Sequence, residues 1–426
     1  ENNDHHRSMT ISDIKNTGLV EQWNTPGHWL TSYPSLNHWR EDFGHLQYVR
    51  EFLEHCEKPL HVYVHIPFCP KLCWYCVCNL KITSDRKEIQ FFLDHLLKEI
   101  DNLKAFYERH GKTPRIEEIH FGGGTPSHLD RAQFSSLRDK LGSLDHSRPR
   151  EVAMEIDPRT VNEADLLFYA SQGVTRISFG IQDFNDRVQK AINREQPPEL
   201  IEGLLTSEVT SRLSVNFDLL YGLPFQSRKT IRETLETVKK FSPDRITVLK
   251  YCHAPELRKH MKLINVSDLP PQEELPLMFL DIAEYLVDEG YVWIGLDHFA
   301  KPWDSLSMNP VVRTFNGFKP GPVKDMIGLG PTSTHSIGNC YAQNHYDLNN
   351  YYNAVNRGEF PIERGYLLTQ EDEIRREAIF SLLCARDLSD GARFLLRNLC
   401  KEFDNKDTEP EHMRIAQKTI TRRAVA

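Results

Sequence analysis

The feature that most constrains the fold is a regular alternation of short β-rich runs with helix-like stretches between residues 60 and 251. Six β-rich runs stand out, at 61–66, 118–121, 151–156, 176–180, 215–221 and 245–251. Helix-like stretches separate most of them, at 87–107, 131–144, 162–171, 199–207 and 228–241. This alternation predicts βα units and a parallel α/β sheet. About six such units favour a partial or full TIM barrel over a two-halved dinucleotide fold.

We expect three parts along the chain. Residues 1–59 are aromatic-rich without a clear period and are interpreted as an N-terminal arm, residues 60–300 as the core barrel, and residues 301–426 as a C-terminal region. We expect a helix at 272–289, a strand at 291–295 and a helix at 371–385. The Pro- and Gly-rich segment 299–338 is predicted to be irregular. Met9 is a candidate natural start, so residues 1–8 are not assigned to the fold.

Composition excludes several classes of protein. A net charge of −8 gives no electrostatic reason to bind nucleic acid or an anionic membrane, although a pocket for a small anion can still be basic. No stretch reaches the roughly 18–20 apolar residues of a membrane span. Nine cysteines are an odd number, and four crowd into ten residues, which suits a metal site in a reducing compartment better than a disulfide framework. We therefore expect a cytoplasmic protein.

The crowded cysteines, Cys69, Cys73, Cys76 and Cys78, directly follow the first β-rich run. Thiolates suit zinc or iron–sulfur ligation. Structural zinc sites usually pair two separated CxxC units, and no second unit is visible, whereas three thiolates on a cubane cluster leave one iron open. Cys78 is a difficult chelate partner for Cys76, so we expect it beside the cluster. A structural zinc loop is the alternative.

Other candidate ligands follow the later β-rich runs. Gly122 and Gly123 begin a glycine-rich turn that ends at Thr125 and Pro126, where a ligand can approach the backbone closely. Polar side chains recur near strand ends: Glu155, Gln182, Arg194 and Asp218. Because parallel strands end at one edge, these side chains are expected to face one pocket. Each taken singly is more often a surface or capping residue.

The cysteine spacing Cx3CxxC after a strand resembles the signature of the radical S-adenosylmethionine (SAM) superfamily. The larger set of motifs is similar to the oxygen-independent coproporphyrinogen III oxidases (dehydrogenases) of haem biosynthesis, over about residues 30–388. The motifs that carry this resemblance are HIPFC at 65–69, the CxC ending at Cys78, NREQ at 193–196, YGLP at 221–224, DHFA at 297–300 and CYAQN at 340–344.

The resemblance implies a radical SAM partial TIM barrel in which Cys69, Cys73 and Cys76 ligate one [4Fe–4S] cluster. It implies two SAM molecules, with contacts from Tyr63, Phe68, Gly122, Gly123, Thr125, Glu155, Gln182, Arg194, Asp218, the backbone of Cys252, and Ile337. Tyr63 is also the candidate catalytic residue, near cofactor and substrate. The substrate implied is coproporphyrinogen III, whose two propionates become vinyl groups to give protoporphyrinogen IX. A flavodoxin or ferredoxin is implied as electron donor, and a monomer is expected.

Two departures from the family pattern qualify the resemblance. Cys252 stands where alanine is typical, which is tolerable if only its backbone is used. The segment 391–400 follows 387–390 almost at once, where relatives carry several dozen residues of helical domain. We therefore expect a reduced C-terminal helical region and a more open site. The alternatives are a radical SAM enzyme of anaerobic haem degradation and a non-catalytic haem chaperone.

Overall fold

The computed structural model describes residues 10–16 and 32–384. The strands within these residues are β1 (Pro59–Ile66), β2 (Phe68–Cys69), β3 (Lys81–Ile82), β4 (Arg115–Gly123), β5 (Glu151–Ile156), β6 (Arg176–Gln182), β7 (Ser214–Tyr221), β8 (Arg245–Lys250), β9 (Val292–Gly295), β10 (His298–Ala300), β11 (Val311–Thr314), β12 (Gly317–Pro320), β13 (Met326–Leu329), β14 (Thr334–Ile337), β15 (Cys340–Asn344) and β16 (Ile362–Leu367).

The α-helices of the described residues are α1 (Ile11–Lys15), α2 (His45–His55), α3 (Arg86–Arg109), α4 (Arg131–Gly142), α5 (Glu163–Ser171), α6 (Asp186–Ala191), α7 (Pro198–Leu204), α8 (Ser207–Thr210), α9 (Arg228–Phe241), α10 (Leu275–Asp288), α11 (Ser305–Met308), α12 (Leu348–Asn356) and α13 (Gln370–Leu383). Two short 3-10 turns, Pro126–His128 and Pro158–Thr160, follow β4 and β5. None of the described helices is long and apolar enough to cross a membrane.

Twelve strands form one sheet in the order β16-β15-β14-β13-β1-β4-β5-β6-β7-β8-β10-β9. The seven neighbours from β13 to β8 run parallel, and antiparallel strands extend the sheet at both edges. The predicted parallel α/β sheet is confirmed. No pairing among the described strands joins β16 to β9, so the sheet is an open, partial barrel. The sheet contains strands from both sides of residue 300.

Alternation along β1 shows how the strands divide apolar from polar side chains. Val62, Val64 and Ile66 are buried in the main apolar core together with helix residues such as Phe92 of α3. The intervening Tyr63 turns to the other face of the sheet, because successive side chains of a strand point in opposite directions. The neighbouring strand β4 repeats the pattern. The inner face of the barrel is therefore polar, and the outer face packs against helices.

Charged groups close the inner face at the amino ends of the strands. Glu118, which is 1% exposed, forms an ion pair with Lys319 of β12. Glu151 pairs with Arg245 at 2.9 Å, and Arg245 also pairs with Asp304 at 2.8 Å. Buried pairs of this kind are stable only while each charge keeps its partner. Because these ion pairs fill the amino end, we expect the active site at the opposite, carboxyl end of the parallel strands.

The prediction that segment 299–338 is irregular is wrong, because this segment contains β11 to β14 and most of β10. Its strands are only three or four residues long, and glycine or proline interrupts them, which hides their period. The predicted N-terminal arm contains α1 and α2 among its described residues. The predicted helix 371–385 corresponds to α13. The segment 391–400, with the expected reduced C-terminal region around it, lies outside the described residues.

Candidate active site

Cys69 is fixed at the carboxyl end of β1 by contacts with the turn after β4. The backbone nitrogen of Thr125 donates to the Phe68 oxygen at 2.8 Å, and the Thr125 hydroxyl lies 3.1 Å from the Cys69 sulfur. A Cβ on Gly124 would come within 2.7 Å of the Phe68 carbonyl oxygen, so only glycine fits this approach. The glycine-rich turn thus holds the first cysteine in place as well as offering backbone groups to a ligand.

Cys73 is held by the loop that follows α6. The Trp74 nitrogen donates to the Ile192 oxygen at 3.0 Å, and the Asn193 amide donates to the Leu72 oxygen at 2.8 Å. Two guanidinium groups then reach the Cys73 sulfur, one from Arg159 and one from Arg194, each at 3.4 Å. Cationic N–H donors suit the negative charge that a metal-bound cysteine sulfur carries.

Cys76 lies one turn further, and its backbone nitrogen donates to the Cys73 oxygen at 3.2 Å. The His260 ring nitrogen lies 2.8 Å from the Cys76 carbonyl oxygen, which anchors this end of the loop. A hydrogen bond with Cys78, together with burial, raises the pKa of the Cys76 thiol, and burial raises the pKa of the Cys69 thiol to about 12. Without a metal these thiols stay protonated, so metal binding must release protons.

The spacing of the three sulfurs bears on the choice between a zinc ion and an iron–sulfur cluster. Among the described residues, the one set of three or more His, Cys, Asp or Glu side chains with all ligand atoms within 4.8 Å is Glu51, Glu54 and His55. The sulfurs of Cys69, Cys73 and Cys76 are therefore not mutually that close. Thiolates on one tetrahedral zinc, with bonds of about 2.3 Å, lie about 3.8 Å apart. The three sulfurs as placed therefore do not have the spacing of a single zinc site.

Glu155, at the end of β5, faces the same edge as the cysteines. Its two oxygens lie 2.9 Å from the His120 ring nitrogen and 3.3 Å from the donating Gly123 nitrogen. Burial raises the pKa of Glu155, but the hydrogen bond with His120 and the charges around it outweigh burial, so the pKa lies below its ordinary value. A Cβ on Gly122 would lie 2.7 Å from a Glu155 oxygen, so the carboxylate packs directly on this glycine.

Tyr63 lies beside this carboxylate on the inner face of β1. Its hydroxyl is 3.2 Å from one ring nitrogen of His65, whose other nitrogen lies 3.0 Å from the Asn79 oxygen. Burial raises the pKa of the Tyr63 hydroxyl, so the group stays protonated and can donate a hydrogen bond. His65 thereby sets the direction of the Tyr63 hydroxyl.

Asp218 and Gln182 continue the polar edge across β6 and β7. The Asn216 amide donates to Asp218 at 2.8 Å. Burial and the charge of Glu155 raise the pKa of Asp218 to about 6. Gln182 has a φ of 66°, in the left-handed region, where the strand breaks its register with β7. The two carboxylates, Glu155 and Asp218, are therefore near neighbours at one end of the barrel.

Comparison with known proteins identifies the family. The radical SAM superfamily matches residues 63–238. The chain is 38% identical over 386 residues to the oxygen-independent coproporphyrinogen III oxidase of Escherichia coli, covering 88% of this chain and 83% of that protein. The corresponding protein of Synechocystis is 37% identical, covering 87% and 81%.

The chain belongs to the oxygen-independent coproporphyrinogen III oxidase family. The solved structure of coproporphyrinogen III oxidase (HemN) from Escherichia coli, described as a radical SAM enzyme, matches with a TM-score of 0.78 and 36% identity, covering 84% of this chain and 82% of that one. The fold is therefore the radical SAM α/β fold. As a member of this family the chain is a radical SAM oxidoreductase, and neither the haem-chaperone nor the haem-degradation alternative is favoured.

Three of the residues expected to contact SAM differ from the others in burial or in position. The Phe68 ring is fully buried against Phe92, so only its backbone can face a ligand. Cys252 is exposed just after β8. Ile337 is 1% exposed and ends β14, which runs antiparallel to β13, so it lies near the amino ends of the parallel strands. Ile337 thus lies apart from the edge that carries the cysteines, and its contact with SAM stays a prediction.

Sequence reasoning missed Arg159 and His120. Arg159 pairs with Asp157 at 2.6 Å and reaches Cys73, while His120 holds Glu155. A signal for His120 was present, because Glu118 and His120 alternate with apolar residues along β4 and so share the inner face with Gly122. Arg159 follows its strand by three residues, in a turn, where no periodicity marks it.

Proposed function

We propose that this chain converts coproporphyrinogen III to protoporphyrinogen IX without oxygen, by radical SAM oxidative decarboxylation. Each of two propionate side chains would lose one β-hydrogen atom, one electron and carbon dioxide, which leaves a vinyl group. The β C–H bond is unactivated, so no acid or base of the site could break it. The observation that carries the proposal is the three-thiol loop at the carboxyl edge of the barrel. The chain that contains it is 38% identical to the oxygen-independent coproporphyrinogen III oxidase of Escherichia coli.

Cys69, Cys73 and Cys76 would hold one [4Fe–4S] cluster, with Cys78 beside it. When bound, such a cluster supplies the electron that splits SAM into methionine and a 5′-deoxyadenosyl radical. The surroundings favour this ligation, because Cys69 and Cys73 are 8% and 7% exposed and Cys73 accepts from two guanidinium groups. A buried site also protects a reactive radical from solvent.

The residues proposed to contact SAM surround the two carboxylates. Gly122, Gly123 and Thr125 would offer backbone and hydroxyl groups, and Glu155 and Asp218 would accept hydrogen bonds from ribose hydroxyls. Two such carboxylates at one edge are compatible with two SAM molecules, and Gln182 and the Cys252 backbone would complete the contacts.

Arg194 would face the methionyl carboxylate. Its guanidinium already donates to the Gly180 oxygen at 2.7 and 3.0 Å and lies 3.4 Å from Asp157. A ligand carboxylate would therefore share this guanidinium with groups that already fix its direction. The protein does not need to order the side chain when the ligand binds.

Tyr63 is proposed to act between cofactor and substrate. With its hydroxyl hydrogen directed by His65 and the group protonated, it can orient a bound molecule but cannot act as a base at neutral pH. The proposal also includes an electron donor such as a flavodoxin or ferredoxin, a monomeric state and a cytoplasmic location. The crowding of four cysteines into residues 69–78, which suits a metal site in a reducing compartment, supports the cytoplasmic location.

The test is an anaerobic turnover assay. Reconstituted protein receives dithionite, SAM and coproporphyrinogen III, and mass spectrometry of the oxidised product looks for a porphyrin that has lost two carboxyl groups. A Cys73→Ala variant is the inactive control. Haem offered in place of coproporphyrinogen III tests the degradation alternative. A product that keeps all four carboxyl groups, with 5′-deoxyadenosine formed only in the presence of haem, would contradict the proposal.

A further inference from the structure

The Cys73 sulfur differs from the Cys69 sulfur in its hydrogen-bond partners. It accepts from Arg159 Nη2 and Arg194 Nη1, each at 3.4 Å. Cys69 instead lies next to the uncharged Thr125 hydroxyl at 3.1 Å. One ligand position of the site therefore sits between two cations. Hydrogen bonds and charge at a cluster sulfur are among the features that set a cluster's reduction potential.

The Arg159 guanidinium is fixed before anything binds. Its Nε donates to Asp157 at 2.9 Å and its Nη2 to the same carboxylate at 2.6 Å, while Nη1 reaches the Asn193 oxygen at 3.4 Å. The Arg159 side chain is 15% exposed and that of Asp157 is 7% exposed. Contact with Arg194 and Arg159 outweighs burial and holds the pKa of Asp157 below its ordinary value. The ionised Asp157 carboxylate therefore holds both guanidinium groups in place.

The two arginines have different places in the site. Arg194 packs on Gly180, where a Cβ would lie 2.8 Å from its Nη2, and it is one of the proposed SAM contacts. Arg159 comes from the turn Pro158–Thr160 after β5, and its polar contacts are Asp157, Asn193 and Cys73. A change at Arg159 therefore alters the surroundings of the thiol without removing a proposed SAM ligand.

We propose that Arg159 is a positioning residue that raises the reduction potential of the cluster through its hydrogen bond to Cys73. This inference rests on the proposed function, because it requires a cluster on these thiols. The reduced cluster carries one more negative charge than the oxidised one. A cationic N–H donor at a sulfur ligand therefore stabilises the reduced state more, and the electron needed for SAM cleavage becomes easier to deliver.

The experiment is an anaerobic redox titration of the reconstituted protein, followed by electron paramagnetic resonance. Arg159→Met should shift the equilibrium towards the oxidised cluster about tenfold, which is about 59 mV lower for one electron. The double variant D157N/R159M removes one charge of each sign, so its potential should fall by less than that of R159M. Arg212→Met is the matched control, because Arg212 is an exposed arginine paired with Glu208 on the surface.

The outcomes separate the inference from the function on which it rests. The inference is supported if the reduction potential is lowest for R159M, intermediate for D157N/R159M and highest for wild type, with R212M equal to wild type. If R159M stays within twofold of wild type, about 18 mV, the inference is overturned. Where R159M does not load a cluster, Arg159→Gln, which also lacks the positive charge, replaces it with the same criterion. A wild-type protein that shows no reducible cluster would overturn the proposed function itself.

Discussion

Gly124→Ala should loosen the contact between the glycine-rich turn and the cysteine loop. A Cβ at this position would lie 2.7 Å from the Phe68 oxygen and 2.9 Å from both its carbonyl carbon and its nitrogen. Ordinary contacts begin near 3.4 Å, so the two backbones must separate by roughly 0.5–0.7 Å. The atoms in the way are backbone atoms, which no rotamer change can move. Overpacking of this kind costs about 1–3 kcal/mol.

The same displacement should affect the metal site, because Phe68 directly precedes Cys69. It would lengthen the 2.8 Å hydrogen bond from Thr125 to Phe68 and move the Cys69 sulfur from the Thr125 hydroxyl. We expect urea unfolding of the metal-free protein to give an unfolding free energy lower by about 1–3 kcal/mol. Iron and sulfide content after reconstitution should also fall.

Gly142→Ala provides the matched control. A Cβ there meets nothing within 4 Å, and the residue ends α4. Alanine is the better helix former by about 1 kcal/mol, so this variant should be as stable as wild type or more stable. If Gly124→Ala unfolds at the same urea concentration as Gly142→Ala and binds as much iron, the contact between Gly124 and Phe68 does not hold the loop.

Three further predictions concern buried charges. Burial raises the pKa of Glu99 to about 7, so between pH 4.5 and 7 the folded protein keeps a proton that the unfolded chain releases. The contribution of Glu99 to the unfolding free energy should therefore fall by about 3 kcal/mol as the pH rises through this range. Glu99→Gln should remove that contribution, which unfolding curves of the variant and the wild type at several pH values would show. His120→Leu should raise the dissociation constant for SAM about tenfold, because Glu155 loses its hydrogen bond with His120. His120→Gln keeps an N–H donor and should bind SAM nearly as tightly as wild type. Equal dissociation constants for the two variants in calorimetry would contradict this. Lys319→Met should cost about 3 kcal/mol in unfolding free energy, because Glu118 stays buried and keeps only the longer ion pair with Arg150, at 3.7 Å. The double variant with Glu118→Gln should recover most of that cost. A single variant with wild-type stability would exclude a structural role for the Lys319–Glu118 ion pair.

The parallel sheet could be predicted because each of its central strands is a short apolar run followed by a helix-like stretch. The strand that completes the parallel set, β13, could not, because its four residues follow a glycine- and proline-rich segment and their partner, β1, is about 260 residues earlier. Local periodicity carries no information on such pairing. The position of Ile337 on β14 shows the same limit, since a motif match gives an order along the chain but not the end of the sheet at which a residue lies.

The cysteines were predictable because their spacing reflects the chemistry directly. The residues around them were less so. His120 shares the inner face of β4 with Gly122, and the alternation of polar and apolar residues could have revealed it. The two guanidinium groups on Cys73 come from Arg159 and Arg194, 35 positions apart, and meet only because β5 and β6 end side by side. Tertiary structure alone provides that contact.

The most direct test of the account is the electron paramagnetic resonance spectrum of the dithionite-reduced protein with and without SAM, alongside iron analysis. We predict about four iron atoms per chain and a cluster signal that changes when SAM is added, because one iron without a protein thiolate is free to bind it. Replacing Cys69, Cys73 and Cys76 together by alanine should abolish both. Zinc in place of iron, or a cluster that persists after those three replacements, would contradict the account.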